Sequence, residues 1–214
     1  VAGIYLFSVA TIAVMNHKPS TNRKTKPVTK DIKEGLQYAF RDPTLKGLFI
    51  MSFIPVLFGY SYYALLPAWA REALSINADG LGILLMLMGI GATAGTLGLA
   101  AIGNISNRGK VMIFSSVLWG LSLAIFSQIS IFWIAIPFLI LIGLTSSLYM
   151  SLNMTMIQLN SSPEMRGRTM SIAMMTFGMM PLSAVPFGTI AEKIGTPNAL
   201  MISGILLVVS TIVF

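Results

Sequence analysis

Five stretches of this sequence, residues 47–70, 80–107, 111–163, 169–191 and 194–214, contain no Asp, Glu, Lys or Arg. No other feature restricts its fold so strongly. A helix with one side in water carries polar residues along that side, and windows this long without a charge leave no such side. In lipid the need disappears. The hydrocarbon layer of a bilayer is about 30 Å thick and a helix rises about 1.5 Å per residue, so about 20 apolar residues cross it. Four of the windows hold one such helix each. The window 111–163 is long enough for two. Near its middle, "SQISIFW", with Ser127, Gln128, Ser130 and Trp133, suits a short turn at an interface. The runs are continuously apolar rather than alternating, unlike barrel strands, and a lone strand would leave its backbone unpaired in lipid.

The prediction is therefore an all-α integral membrane protein with spans at 47–70, 80–103, 111–128, 132–157, 169–190 and 197–214. Residues 1–15 read as the end of a further span and 16–46 as a linker. Val1 stands inside one apolar run and Phe214 inside another, so the chain reads as an excerpt of a longer protein. Composition agrees, with 55% hydrophobic and only 10% charged residues, where a soluble domain carries about 25% charge.

The basic residues are distributed unevenly. Eight of the fourteen Lys and Arg fall in 16–46: Lys18, Arg23, Lys24, Lys26, Lys30, Lys33, Arg41 and Lys46. Arg108 and Lys110 lie in the loop at 104–110, and Arg166 and Arg168 in the loop at 158–168. The intervening connections hold only Arg71 and Lys193. Twelve of fourteen thus sit on alternate loops, which places 16–46 on the cytoplasmic side. The basic run is an orientation signal beside anionic headgroups and not a nucleic-acid site, since no aromatic is interleaved in 17–35 to stack on bases. Within it, 17–28 with Pro19 and Pro27 reads as a flexible linker. "TKDIKEGLQYAFRDP" then predicts a helix over about 29–42, with Thr29 as N-cap and Pro43 marking its end. Ile32, Leu36, Ala39 and Phe40 would make its apolar face on the membrane surface.

Catalytic and metal chemistry find little footing. There is no Cys, the sole His is His17 in the basic run, and no HExxH, GxSxG or intramembrane Asp pair occurs. An intramembrane enzyme is the least supported reading, and no metal or cofactor is expected.

Several motifs carry a resemblance. "DIKEGLQYAFRDPTLKGL", "GILLMLMGIGATAGTLGLAAIGNISNRGK", "SSPEMRGRTMSI" and "FGMMPLSAVPFGTIAEKIG" occur in that order, on the loops and spans where they belong. Together they resemble the C-terminal half of a major facilitator superfamily transporter, close to enterobactin and macrolide exporters. The resemblance implies that 1–15 ends helix six and that the six spans are helices seven to twelve. Seven, eight, ten and eleven would line the cavity, with nine and twelve facing lipid. The loop after helix eight resembles the signature Gly-x-x-x-Asp-Arg-x-Gly-Arg. Gly103 and Arg108 align with it, but Asn107 replaces the Asp, and Gly109 follows Arg108 without a spacer. Asn107 keeps a capping side chain and loses the carboxylate. Gly103, Asn107, Arg108, Arg166 and Arg168 are the gating candidates at the cytoplasmic mouth. For the two last, plain anchoring by positive charge is an equal alternative.

No span contains an ionisable Asp, Glu, Lys or Arg, so this half offers a cargo apolar and neutral polar contacts. In 47–70, Pro55 and Gly59 permit a break, and Phe58 and Tyr60 are cavity candidates beside Tyr62 and Tyr63, which also suit an interfacial belt. Gly91 and Gly95 form a GxxxG pair, better read as helix packing than as ligand contact. In 132–157, Tyr149 and Asn153 share a face with Ser146 and Ile157. Asn153 either bonds a neighbouring helix or faces a wet cavity. In 169–190, Met174 and Phe177 lie on one face, and Pro181 and Pro186 are predicted to kink the helix. The sequence reads as half of an efflux-type secondary transporter for a small amphipathic or hydrophobic compound, working by alternating access with a missing N-terminal six-helix half. A non-transporting scaffold or degenerate half-transporter is the alternative.

Overall fold

The structure is a computed structural model that describes residues 7, 9–11, 28–103 and 105–214, without the side chains of 28–31 and 78. The expected helix end at 1–15, four helical positions apart, and the linker at 17–27 lie outside the described residues, as do the side chains of Thr29 and Asp31. Among the described residues every regular element is helical. In order come α1 (Val28–Arg41), α2 (Pro43–Ile54), a π-helical turn (Pro55–Gly59), α3 (Ser61–Leu74), α4 (Ala78–Ile102), α5 (Arg108–Ser127), α6 (Phe132–Leu159), α7 (Arg166–Phe177), α8 (Pro181–Ile194) and α9 (Thr196–Val213). Joined end to end, these give six segments long and apolar enough to cross a bilayer: Pro43–Leu74, Asp79–Ile102, Arg108–Ser127, Phe132–Leu159, Arg166–Ile194 and Thr196–Val213. The six segments give the all-α multi-pass architecture that the sequence predicts.

Local chemistry explains the ends. The first span begins at Pro43, before the expected residue 47, because Asp42 accepts hydrogen bonds from Thr44 N (2.8 Å) and Leu45 N (3.0 Å) and Pro43 needs no partner for a missing N–H. Lys46 remains exposed one turn in, its stem along the helix and its charge free to reach water. At the opposite end the Glu72 carboxylate accepts from Thr196 N at 3.0 Å, anchoring the start of α9 next to Gly195, whose φ of +85° favours glycine.

The hydrophobic effect does not drive helices together in lipid, so close backbone approach and hydrogen bonds must do so. The α4–α6 contact shows this best. A Cβ at Gly91 would lie 2.0 Å from Ile140 O, one at Gly95 2.6 Å from Leu144 O, and one at Gly143 2.1 Å from Met88 O. Ser147 adds a bond to Ala92 O at 3.0 Å. The α5–α9 contact repeats the device with Gly120 against Gly204 and a Ser116–Thr211 hydroxyl pair at 2.8 Å. Trp69 of α3 donates to Ser127 O at 2.8 Å and packs on Phe126, tying α3 to the end of α5.

Helix α1 docks on α7. Ala39 is buried, Gly35 faces Ile172 and Arg168, Tyr38 Oη accepts from Ser162 N at 3.0 Å, and Glu34 pairs with Arg168 at 2.8 Å. Leu36 and Phe40 point outward. The expected apolar stripe is therefore split, with one edge on protein and the other open to lipid.

Candidate functional site

The first span breaks where the sequence carries Pro55. Proline lacks the N–H that would bond Met51 O one turn earlier. In its place the Tyr149 hydroxyl of α6 donates to Met51 O at 2.5 Å. The chain then widens into a π-helical turn, with Tyr60 N bonded to Pro55 O at 2.8 Å. The Phe58 carbonyl accepts from Ser61 Oγ (3.1 Å) and from Ser203 Oγ of α9. One turn from Tyr149, Asn153 is fully buried. Its Nδ2 donates to Leu48 O at 3.2 Å, and its Oδ1 accepts from Ser52 Oγ at 2.7 Å. Tyr149 and Asn153 thus bond the backbone and a side chain of α2.

The π turn sets an aromatic cluster. Tyr60 lies 5.0 Å from Trp119 of α5, 6.1 Å from Phe177 of α7 and 5.9 Å from Tyr63, measured between ring centres. Trp119 in turn stands 6.3 Å from Tyr149. Phe58 takes a separate direction, edge to face with Phe187 of α8 at 6.5 Å. Tyr149 and Phe177 are thereby joined through Trp119 and Tyr60. Tyr62 is buried and Tyr63 is 53% exposed. Gly59 is required here: a Cβ would sit 2.7 Å from the Trp119 ring. Trp119 is 0% exposed, and among the described residues its Nε1 is the buried side-chain nitrogen left without a hydrogen-bond partner. A buried donor left unmade costs about 1–3 kcal/mol.

The fifth span breaks too. Pro181 cannot donate to Phe177 O, which accepts from Met180 N at 3.1 Å, and the helix restarts at Pro181. Met174, 63% exposed, and Met175 lie on the open side of α7, with Leu182 and Val185 continuing that face on α8. Phe177 is half-buried between this face and Tyr60.

The gating candidates gather at the end of the bundle that carries α1. Asn107, Arg108 and Lys110 line a cavity of about 680 Å³ with Met156 and Asn160. Gly103 closes α4 with φ +67°, a conformation that favours glycine. Asn107 occupies the N-cap position of α5, but its side chain makes no capping bond. Arg168 is held by Glu34 at 2.8 Å, and Arg166 Nε donates to Ser161 O at 3.3 Å.

Trp119 is the residue that sequence reasoning misses. Helix nine is expected to face lipid, yet α5 exposes only a narrow strip that includes Phe114, Leu121 and Ile125, and nine of its residues, Trp119 among them, are buried. A signal exists: tryptophan belongs at membrane interfaces, whereas Trp119 falls near the middle of its span.

Comparison with known proteins gives two findings. Residues 2–214 match the family described as transmembrane secretion effector. The chain is also 31% identical over 171 residues to the staphyloferrin A transporter of Staphylococcus aureus (strain NCTC 8325 / PS 47), an alignment covering 79% of this chain and 42% of that relative. The matched residues thus span less than half the length of that relative.

Proposed function

The chain belongs to the transmembrane secretion effector family of major facilitator transporters, and we propose that it is the C-terminal half of an exporter moving a small amphipathic or hydrophobic compound by alternating access. The observation that carries this reading is the Tyr60–Phe177 contact beside the exposed Met174, with Phe58 packed separately on Phe187, all on the uncharged stretches 47–70 and 169–191. Flat rings and polarizable thioethers hold apolar cargo without fixing its shape. A missing N-terminal six-helix half completes the cavity, and coupling resides there, because an intramembrane carboxylate or cation is the usual mark of an ion path. In this reading Tyr149 and Asn153 hold the broken first span in place from behind the cavity wall. Gly103, Asn107, Arg108, Arg166 and Arg168 form the cytoplasmic mouth. The membrane is the cell's inner (plasma) membrane, with residues 16–46 on the cytoplasmic side and lipid around α5 and α9.

The named cargo of the relative, staphyloferrin A, is the first compound to test. Cells expressing the full-length gene are compared with a vector control for export of staphyloferrin A and for susceptibility to a panel of amphipathic drugs. Export or raised resistance is expected. A normally expressed protein that changes neither contradicts the proposal.

A further inference from the structure

Trp119 has no structural use for its N–H. Every other buried side-chain nitrogen and oxygen among the described residues has a partner, and one of these bonds, from Tyr149 to Met51 O, repairs a break in a helix. The ring itself is locked, with Gly59 beneath it and Tyr60 and Tyr149 beside it. A contact between ring faces and edges offers the N–H only a weak acceptor. An apolar phenylalanine would fill much of the same space without an orphaned donor. The position is also telling. Tyr60 connects Trp119 to Phe177 and the exposed Tyr63, so one half-buried ring stands between the Trp119 ring and the open face.

We propose that Trp119 is a substrate-binding residue, donating its indole N–H to an acceptor oxygen of the carried compound when that compound displaces the Tyr60 ring. The inference rests on the transport reading above and adds a chemical class to it. The cargo bears a hydroxyl, carbonyl or carboxylate oxygen next to a flat apolar part. The apolar part stacks on Tyr60 and Phe177, and the oxygen reaches inward to Trp119.

The test uses the full-length protein reconstituted in vesicles, with staphyloferrin A as probe. Trp119→Phe keeps an aromatic ring and removes the donor. It is expected to express and to withstand heat like the wild type, and to raise KM for staphyloferrin A about threefold to tenfold, the loss of one hydrogen bond. Trp119→Tyr, which restores a donor on a ring, is expected to recover part of that loss. In the isotope-labelled wild-type protein, the indole proton resonance missing from Trp119→Tyr should move downfield and exchange more slowly when staphyloferrin A is added. An unchanged KM in Trp119→Phe, or an indole resonance that ignores the probe, overturns the proposal while leaving the transport reading standing. A Trp119→Phe protein that fails to fold reports the lost packing of a fully buried ring, and the response of the wild-type indole resonance then decides the proposal. A wild-type protein that moves neither staphyloferrin A nor any drug of the panel removes both this inference and its premise, and where it moves a drug alone, that drug is the probe.

Discussion

Tyr149→Phe isolates a single bond at the break in the first span. The substitution removes only the phenolic oxygen, so the ring stays against Trp119 and no large cavity opens. What changes is Met51 O. The residue is buried, and the N–H that would replace Tyr149 is missing because residue 55 is proline. A solvated carbonyl would lose about 0.5–1.5 kcal/mol, but one left bare in a dry bundle loses about 1–3 kcal/mol. A chain of about 150–250 residues falls by about 2–4 °C in Tm for each kcal/mol, and the longer full-length protein by less. The assay is thermal unfolding of the full-length protein in detergent, followed by loss of the monodisperse chromatographic peak. Phe114→Leu, at an exposed ring with no polar atom, serves as the control and should not move Tm. A recovery is also expected. Pro55→Ala returns an N–H at residue 55, so the cost of Tyr149→Phe should shrink in that background. Equal losses from Tyr149→Phe with and without the Pro55→Ala change would refute the claim that the hydroxyl substitutes for the missing amide.

Three further outcomes follow from the packing. Gly91→Ala and Gly143→Ala place a methyl about 2 Å from a carbonyl that cannot rotate away, so each should lower Tm by the equivalent of about 1–3 kcal/mol. Gly98→Ala on the same helix as Gly91 meets nothing and should be neutral or stabilising by up to about 1 kcal/mol. Asn153→Leu removes two bonds between α6 and α2 while Ser52 keeps its own bond to Leu48 O at 3.0 Å, and should cost about 0.5–1.5 kcal/mol, whereas Asn153→Asp puts a carboxylate into a fully buried site and should cost about 2.5–3.5 kcal/mol, both read as Tm. A double-mutant cycle on Glu34→Gln and Arg168→Gln should give a coupling of about 0.2–1 kcal/mol that fades in high salt, since both side chains are partly exposed.

The spans are legible in the sequence because charge is forbidden in lipid, and the gaps between charged residues mark the oil directly. Their edges are less so. Lys46 stands inside the first span, held there by a cap at Asp42 that a count of charges does not register. Pro55 and Pro181 announce the breaks, yet only the folded bundle shows the replacement donors, because Tyr149 is far from Met51 in sequence. Spacing places Asn153 and Tyr149 on one face of α6. It does not say which helix that face meets, and it is α2 that receives both. Trp119 is hidden for a related reason. The family resemblance gives helix nine to lipid as a whole, while a helix at the bundle edge still turns one face inward.

Six antiparallel crossings, with Arg41, Lys110 and Arg166 at one end and Arg71 and Lys193 at the other, underlie everything proposed for this protein. The chain has no native cysteine, so single cysteines at these five positions in the full-length protein, with cysteines elsewhere replaced, can be labelled one at a time in intact cells. An impermeant thiol reagent should reach positions 71 and 193 from outside, and 41, 110 and 166 only after the cells are opened. Outside labelling at position 41 or 166, with the other of the two protected, would contradict the threading and the transporter built on it.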